Sequence, residues 1–131
     1  MIDIEIDVWN AIKAVLPTGT SLETEYPIGD NQYPMVTMAE GGNSTYERTV
    51  DSSLTENHAS VMYEFNIYSN KVSGPRAECK SIRNEIDDKM QELGFTRNYG
   101  KFLPNLMDGT ITRYVLRYSG VAGKDKTIYR R

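Results

Sequence analysis

The chain has 131 residues, 39% of them hydrophobic and 25% charged, which is ordinary usage for one globular domain able to bury a core without disulfide staples. No apolar run approaches the ~18 residues of a membrane-spanning helix, and Asp3, Glu5 and Asp7 stand where a secretory leader needs positive charge. The net charge of −3 conceals a gradient: residues 1–64 hold eleven acids and two bases, 65–95 hold five of each, and 96–131 hold two acids and eight bases. A single cysteine, Cys79, excludes an internal disulfide and suits folding in a reducing cytoplasm.

From Asp3 to Leu16, Ile4, Val8, Ala11, Ile12 and Val15 recur at helical spacing, with Asp3, Asp7, Asn10 and Lys13 off that face. The acids lie in the first turns, where they favour the positive end of the helix dipole, and Pro17 and Gly19 end the helix. A short strand is expected over Leu22–Tyr26, stopped by Pro27 and the turn Gly29-Asp30-Asn31. A second follows over Tyr33–Ala39, with Pro34 acceptable near its start. Residues 40–58 are polar and small, and are expected to leave the core as a long loop, or with Thr45–Leu54 extending the flanking strands into a projecting hairpin.

Ala59–Ser69 alternates clearly: Ala59, Val61, Tyr63, Phe65 and Ile67 share one face, and Ser60, Glu64 and Asn66 share the other. Ser73-Gly74-Pro75 opens a second helix, in which Cys79, Ile82, Ile86, Met90 and Leu93 form the apolar stripe and Gly94 supplies the C-terminal cap. Phe95–Leu106 reads as a strand, Asp108-Gly109 as a tight turn, and Thr110–Ser119 as a further strand. In that strand Thr112, Tyr114, Leu116 and Tyr118 oppose Arg113, Val115 and Arg117. Lys126–Arg130 is a last strand or an arm. The expected architecture is one α+β domain over residues 1–131. Its single mixed or antiparallel sheet has about four to six strands, covered by two helices, with residues 40–58 projecting.

Chemistry is scarce. With one histidine and one cysteine, no convergent transition-metal set can be assembled. His58 reads as a surface or strand-end residue, and Cys79 as a small core hydrophobe. No G-x-S-x-G elbow is present, and Gly41-Gly42 lacks the Lys-Ser/Thr and following helix of a phosphate loop. Asp87 and Asp88 point about 100° apart on a helix and read as a solvated face. Glu23 and Glu25 share a strand face, but a cation site there wants a third ligand. An enzyme is not expected, nor any metal or cofactor. Tyr114 with Arg113 and Arg117 is the pattern an RNA- or single-strand-binding sheet would use, provided the tyrosines were exposed. Their sharing a face with Leu116 argues for core packing.

Taken as a layout, the chain resembles the tail terminators, or tail completion proteins, of long-tailed bacteriophages. The resemblance rests on the first helix IEIDVWNAIKAVL, the proline-led strand YPMVTMAEGG and the polar stretch after it. It continues through YEFNIYS, the helix ending LGF, and the closing TRYVLRYSG. It implies a virion protein assembled in the host cytoplasm as a ring, usually a hexamer, that caps the tail tube and forms the head-joining surface. Its implied partners are itself, the tail tube protein and the head-tail connector or stopper, with no membrane and DNA only passing through the lumen. A head-tail adaptor or stopper is the neighbouring reading, and a small sheet-based nucleic-acid-binding protein the one from another class.

A ring joins one patch to a different patch on the next copy, and the acidic front and basic back of this chain supply two such patches. Arg113, Arg117, Arg130 and Arg131 of one copy are therefore expected to face Asp3, Asp7, Glu23 and Glu25 of the next. Asn43, Tyr46, Arg48, Asp51 and Glu56, in the polar stretch, are the expected contacts to the tail tube.

Overall fold

Strict alternation in the middle of the chain builds the central strand. Ala59, Val61, Tyr63, Phe65 and Ile67 line one face of β3 (His58–Ser69) and are at most 1% exposed. The computed structural model describes residues 3–24, 33–45, 58–104, 111–123 and 128–129. The other elements are α1 (Glu5–Val15), β1 (Ser21–Glu23), β2 (Met35–Thr45), α2 (Pro75–Leu93), β4 (Thr96–Leu103), β5 (Thr112–Gly123) and β6 (Ile128–Tyr129). They form one sheet in the order β1-β2-β3-β5-β4, with β6 also pairing β5. Among the described residues only β1 and β2 run parallel; the other pairs are antiparallel. The fold is thus α+β, two helices on a mixed sheet, as expected.

Both helices pack on the same face. Val8 and Ile12 of α1, one turn apart, join Ile4 and the α2 stripe Cys79, Ile82, Ile86 and Met90. Together they cover Val36 and Met38 of β2, the inward face of β3, and Tyr114, Leu116 and Tyr118 of β5. Edge-to-face pairs lock the layer: Tyr63 with Phe95 at 5.6 Å, Phe65 with Tyr118 at 5.9 Å, and Phe102 with Tyr114 at 4.7 Å between centroids. Gly94 ends α2 at φ 105°. Its N–H donates to the Gln91 carbonyl and that of Phe95 to the Met90 carbonyl, a pairing that turns the chain directly into β4.

Several boundaries move. β1 is only Ser21–Glu23, and Tyr26 lies outside the described residues. β2 does not stop at Ala39. It continues through the polar residues to Thr45, paired opposite Ala59, with a bulge between Glu40 and Gly42. A ladder is held by backbone groups, so loss of apolar side chains need not end it, and Gly41-Gly42 lets it bend at the bulge. Residues 40–45 of the expected excursion are therefore strand, and residues 46–57 lie outside the described residues. β5 runs on from Ser119 to Gly123 because the start of β3 remains available as its partner. Phe95 belongs to the helix cap rather than to β4, and residues 105–110 are outside the described set.

Candidate functional site

Two polar surfaces lie on opposite sides of the sheet. On the helix side, Glu40 follows Val36 and Met38 in phase, so the last inward position of β2 before the bulge is a carboxylate. The start of α1 lies over it. Asp3, whose Oδ1 accepts the Glu5 N–H at 3.0 Å, Glu5 and Glu40 each place a carboxylate oxygen within 4.8 Å of the others. Asp3 is exposed, and Glu5 and Glu40 are half-buried. Burial, with the Glu5 carboxyl and the charge of Asp3 adding to it, pushes the Glu40 carboxyl above its ordinary value, while a hydrogen bond with the Asn43 side chain opposes this. Beneath them Tyr63 stands opposite Glu40 in the ladder and is 1% exposed. Its hydroxyl and Glu40 Oε1 are buried without a hydrogen-bond partner among the described residues. Burial first, and then the charges of Glu40, Glu5, Asp3 and Asp7, drive the Tyr63 hydroxyl far above its usual pKa.

The other face carries the arginines, and no described helix packs on it. Along β5, Arg113 and Arg117 sit two alternations apart with Val115 between them. Arg113 Nε donates to Asn66 Oδ1 at 2.8 Å, Asn66 Nδ2 to Glu64 Oε2 at 3.3 Å, and Arg117 Nε to Glu64 Oε1 at 2.8 Å. The Arg117 guanidinium also lies 4.9 Å from the Tyr99 ring centroid. Val115 is fully buried within this array, between a half-buried Arg113 and an exposed Arg117. The expected intermolecular cations therefore already hold neighbours on β3, through Nε alone among the described residues.

The remaining candidates fall as follows. Asp7 is exposed in the first turn of α1, and Glu23 is exposed at the end of β1. Asn43 is a strand residue opposite Val61 rather than part of a loop. Glu25, Tyr46, Arg48, Asp51, Glu56, Arg130 and Arg131 lie outside the described residues. His58 opens β3 opposite Gly123. Cys79 is fully buried, its Sγ 3.8 Å from the Thr112 carbonyl, and burial pushes its thiol up to about 11, so it holds no reactive thiolate. Asp87 is not a solvated acid. It accepts from the Tyr118 hydroxyl at 2.8 Å and pairs with Arg97 at 3.0 Å, tying α2 to β5 and β4, while Asp88 is exposed. Tyr114 and Tyr118 lie in the helix-side core, away from Arg113 and Arg117, so this face does not combine them into a base-stacking platform. A cleft of about 650 Å³ between the Pro17–Thr20 turn and the start of α2 is lined by Tyr33, Lys71, Glu78 and Ser81, and is broadly open.

No family model matches the chain, and no curated protein matches it. No helix among the described residues is long and apolar enough to cross a membrane.

Sequence reasoning did not single out Glu5, Glu40 and Tyr63 as a group. Glu40 carried a signal, its phase with Val36 and Met38, but no local pattern indicates that the start of α1 lands on it.

Proposed function

We propose that this protein is a ring-forming structural component of a phage neck, a tail terminator that caps the tail tube and presents a joining surface to the head. The layout of charge carries this reading. Arg113 and Arg117 stand on the sheet face without described helices, and among the described residues their hydrogen bonds run through Nε, which turns the terminal nitrogens toward a further acid in this reading. Asp3 and Asp7 stand at the start of α1 on the opposite layer. Apposing the helix layer of one copy to the bare sheet of the next is a heterologous contact, which closes into a ring when its rotation divides the circle, as six copies would do. Met62, 39% exposed on the same bare face, adds apolar area to such a joint.

Function then resides in surfaces. The ring would seat on the last tube ring through the β2–β3 hairpin and offer a different upper surface to the connector. An adaptor or stopper would instead fail to cap isolated tubes, which separates these two neck roles.

The test is charge reversal followed by light scattering. Arg113 is the better probe, because its partner Asn66 is neutral, whereas Arg117→Glu would set a second carboxylate against Glu64 and strain the fold itself. Arg113→Glu and Asp7→Lys should each shift rings toward monomer, and the double variant should recover part of the assembly. Rings of unchanged size in Arg113→Glu would sink the proposal.

A further inference from the structure

The acids at the start of α1 have a chemistry that the ring reading does not use. We infer that Asp3, Glu5 and Glu40, with the Tyr63 hydroxyl beneath them, form a site for a hard divalent cation of the calcium type. Three carboxylate oxygens within 4.8 Å of one another fit around one ion, since oxygens on opposite sides of calcium lie about twice a 2.3–2.6 Å bond apart. Oxygen-only ligands select Ca²⁺, Mg²⁺ or Mn²⁺ over softer metals. Acidic clusters on a surface are common, and repulsion alone would spread their side chains. Two further observations set this one apart.

The first is Tyr63, a polar side chain 1% exposed, opposite Glu40 in the ladder and on the same inward face, whose hydroxyl has no hydrogen-bond partner among the described residues. A buried hydroxyl left without a partner is costly, and such groups call for an explanation. A cation drawing the carboxylates together, with water completing its shell, gives that hydroxyl an oxygen to donate to. The second is Glu40 Oε1, also buried and without a hydrogen-bond donor among the described residues, although the Glu40 carboxyl is bonded to the Asn43 side chain. Asp3 is exposed, so the ion has an entry path and room for bound water. Binding would pin the start of α1 to the bulge at Glu40, where β2 turns toward its polar end.

The experiment is calorimetric titration of the EDTA-stripped, full-length protein with CaCl₂, and in parallel with MgCl₂ and MnCl₂, accompanied by thermal melts. Saturable one-to-one binding of at least one of these ions, with a raised Tm, is expected. Glu40→Gln should weaken binding at least ten-fold, and Tyr63→Phe should weaken it several-fold while leaving the metal-free Tm equal or higher. Asp3→Asn, at an exposed position, carries the test if Glu40→Gln folds poorly. Absence of heat and of a Tm shift for all three ions up to about 10 mM, beyond the weakest calcium modules, would overturn the inference, as would undiminished binding by Asp3→Asn. Arg113→Glu should bind the ion normally, so loss of rings and loss of the cation site can be told apart.

Discussion

Gly120 shows how tightly the centre of the sheet is filled. A Cβ built there would lie 3.0 Å from Phe95 Cδ1 and 3.3 Å from Ile128 Cγ2, and Phe95 is itself held edge-on against Tyr63. Gly120→Ala should therefore destabilise the fold by about 1–3 kcal/mol, read as a lower urea midpoint with an unchanged slope. Titratable groups in the core make a second prediction. Burial raises the Cys79 thiol from 9.0 to about 11 and moves the Tyr63 and Tyr118 hydroxyls upward from 10.0, with Asp87 and its hydrogen bond adding to the shift at Tyr118. Between the unfolded and folded values the native chain holds protons that the unfolded chain has lost, so stability falls as pH rises. On the alkaline side Tm should hold up to about pH 9 and decline steadily toward pH 11 and beyond, and Cys79→Ala should soften the onset of that decline. A Tm rising over this range would contradict the burial of all three groups.

At the level of elements, the β2–β3 hairpin carries the most consequence. Its ladder continues through Gly42↔Met62, Asn43↔Val61, Ser44↔Ser60 and Thr45↔Ala59, although nothing in the composition of residues 40–45 resembles a strand. Removing residues 42–56 would strip paired residues from the sheet and confuse folding with function. Replacing residues 46–56 by a short Asn-Gly turn spares the ladder. That variant should fold with a near-native melt and, under the proposed neck function, yield overlong or headless tails by electron microscopy when it replaces the native copy in a phage. Normal virions would remove the hairpin from the tube contact. α2 is the other decisive element: it crosses from β3 to β4 while β5 fills the space between those strands, and Asp87 fastens it to both β5 and β4.

At the scale of the whole molecule, two of the charge clusters lie on opposite sides of the sheet. Asp3, Glu5 and Asp7 stand at the start of α1 with Glu40 beside the first two, and Arg113 and Arg117 stand on the bare sheet next to Glu64. The proposed head-to-tail contact between those surfaces would be electrostatic and wet, where opposite charges are screened over about 8 Å at physiological salt. The proposed ring should therefore weaken as NaCl is raised, with the sedimentation profile moving from ring to monomer while Tm stays nearly constant. Rings indifferent to salt would point to an apolar joint centred on residues such as Met62 in place of the arginines.

Much of this could be read from order along the chain. The alternation of Ala59–Ile67, the stripe Cys79–Ile82–Ile86–Met90 and the Gly94 cap each follow from local periodicity. A strand repeats every two residues and a helix every 3.6, and an apolar position on either has one side to face. Other features were decided only in three dimensions. The strand character of residues 40–45 comes from the partner that β3 offers, the burial of Val115 from side chains on β3 and β4 beside it, and the role of Asp87 from the strands beneath α2. The meeting of Asp3 and Glu5 with Glu40 and Tyr63 spans some sixty residues. Contacts of that separation arise from how layers dock, and docking depends on the whole core at once rather than on any window of sequence.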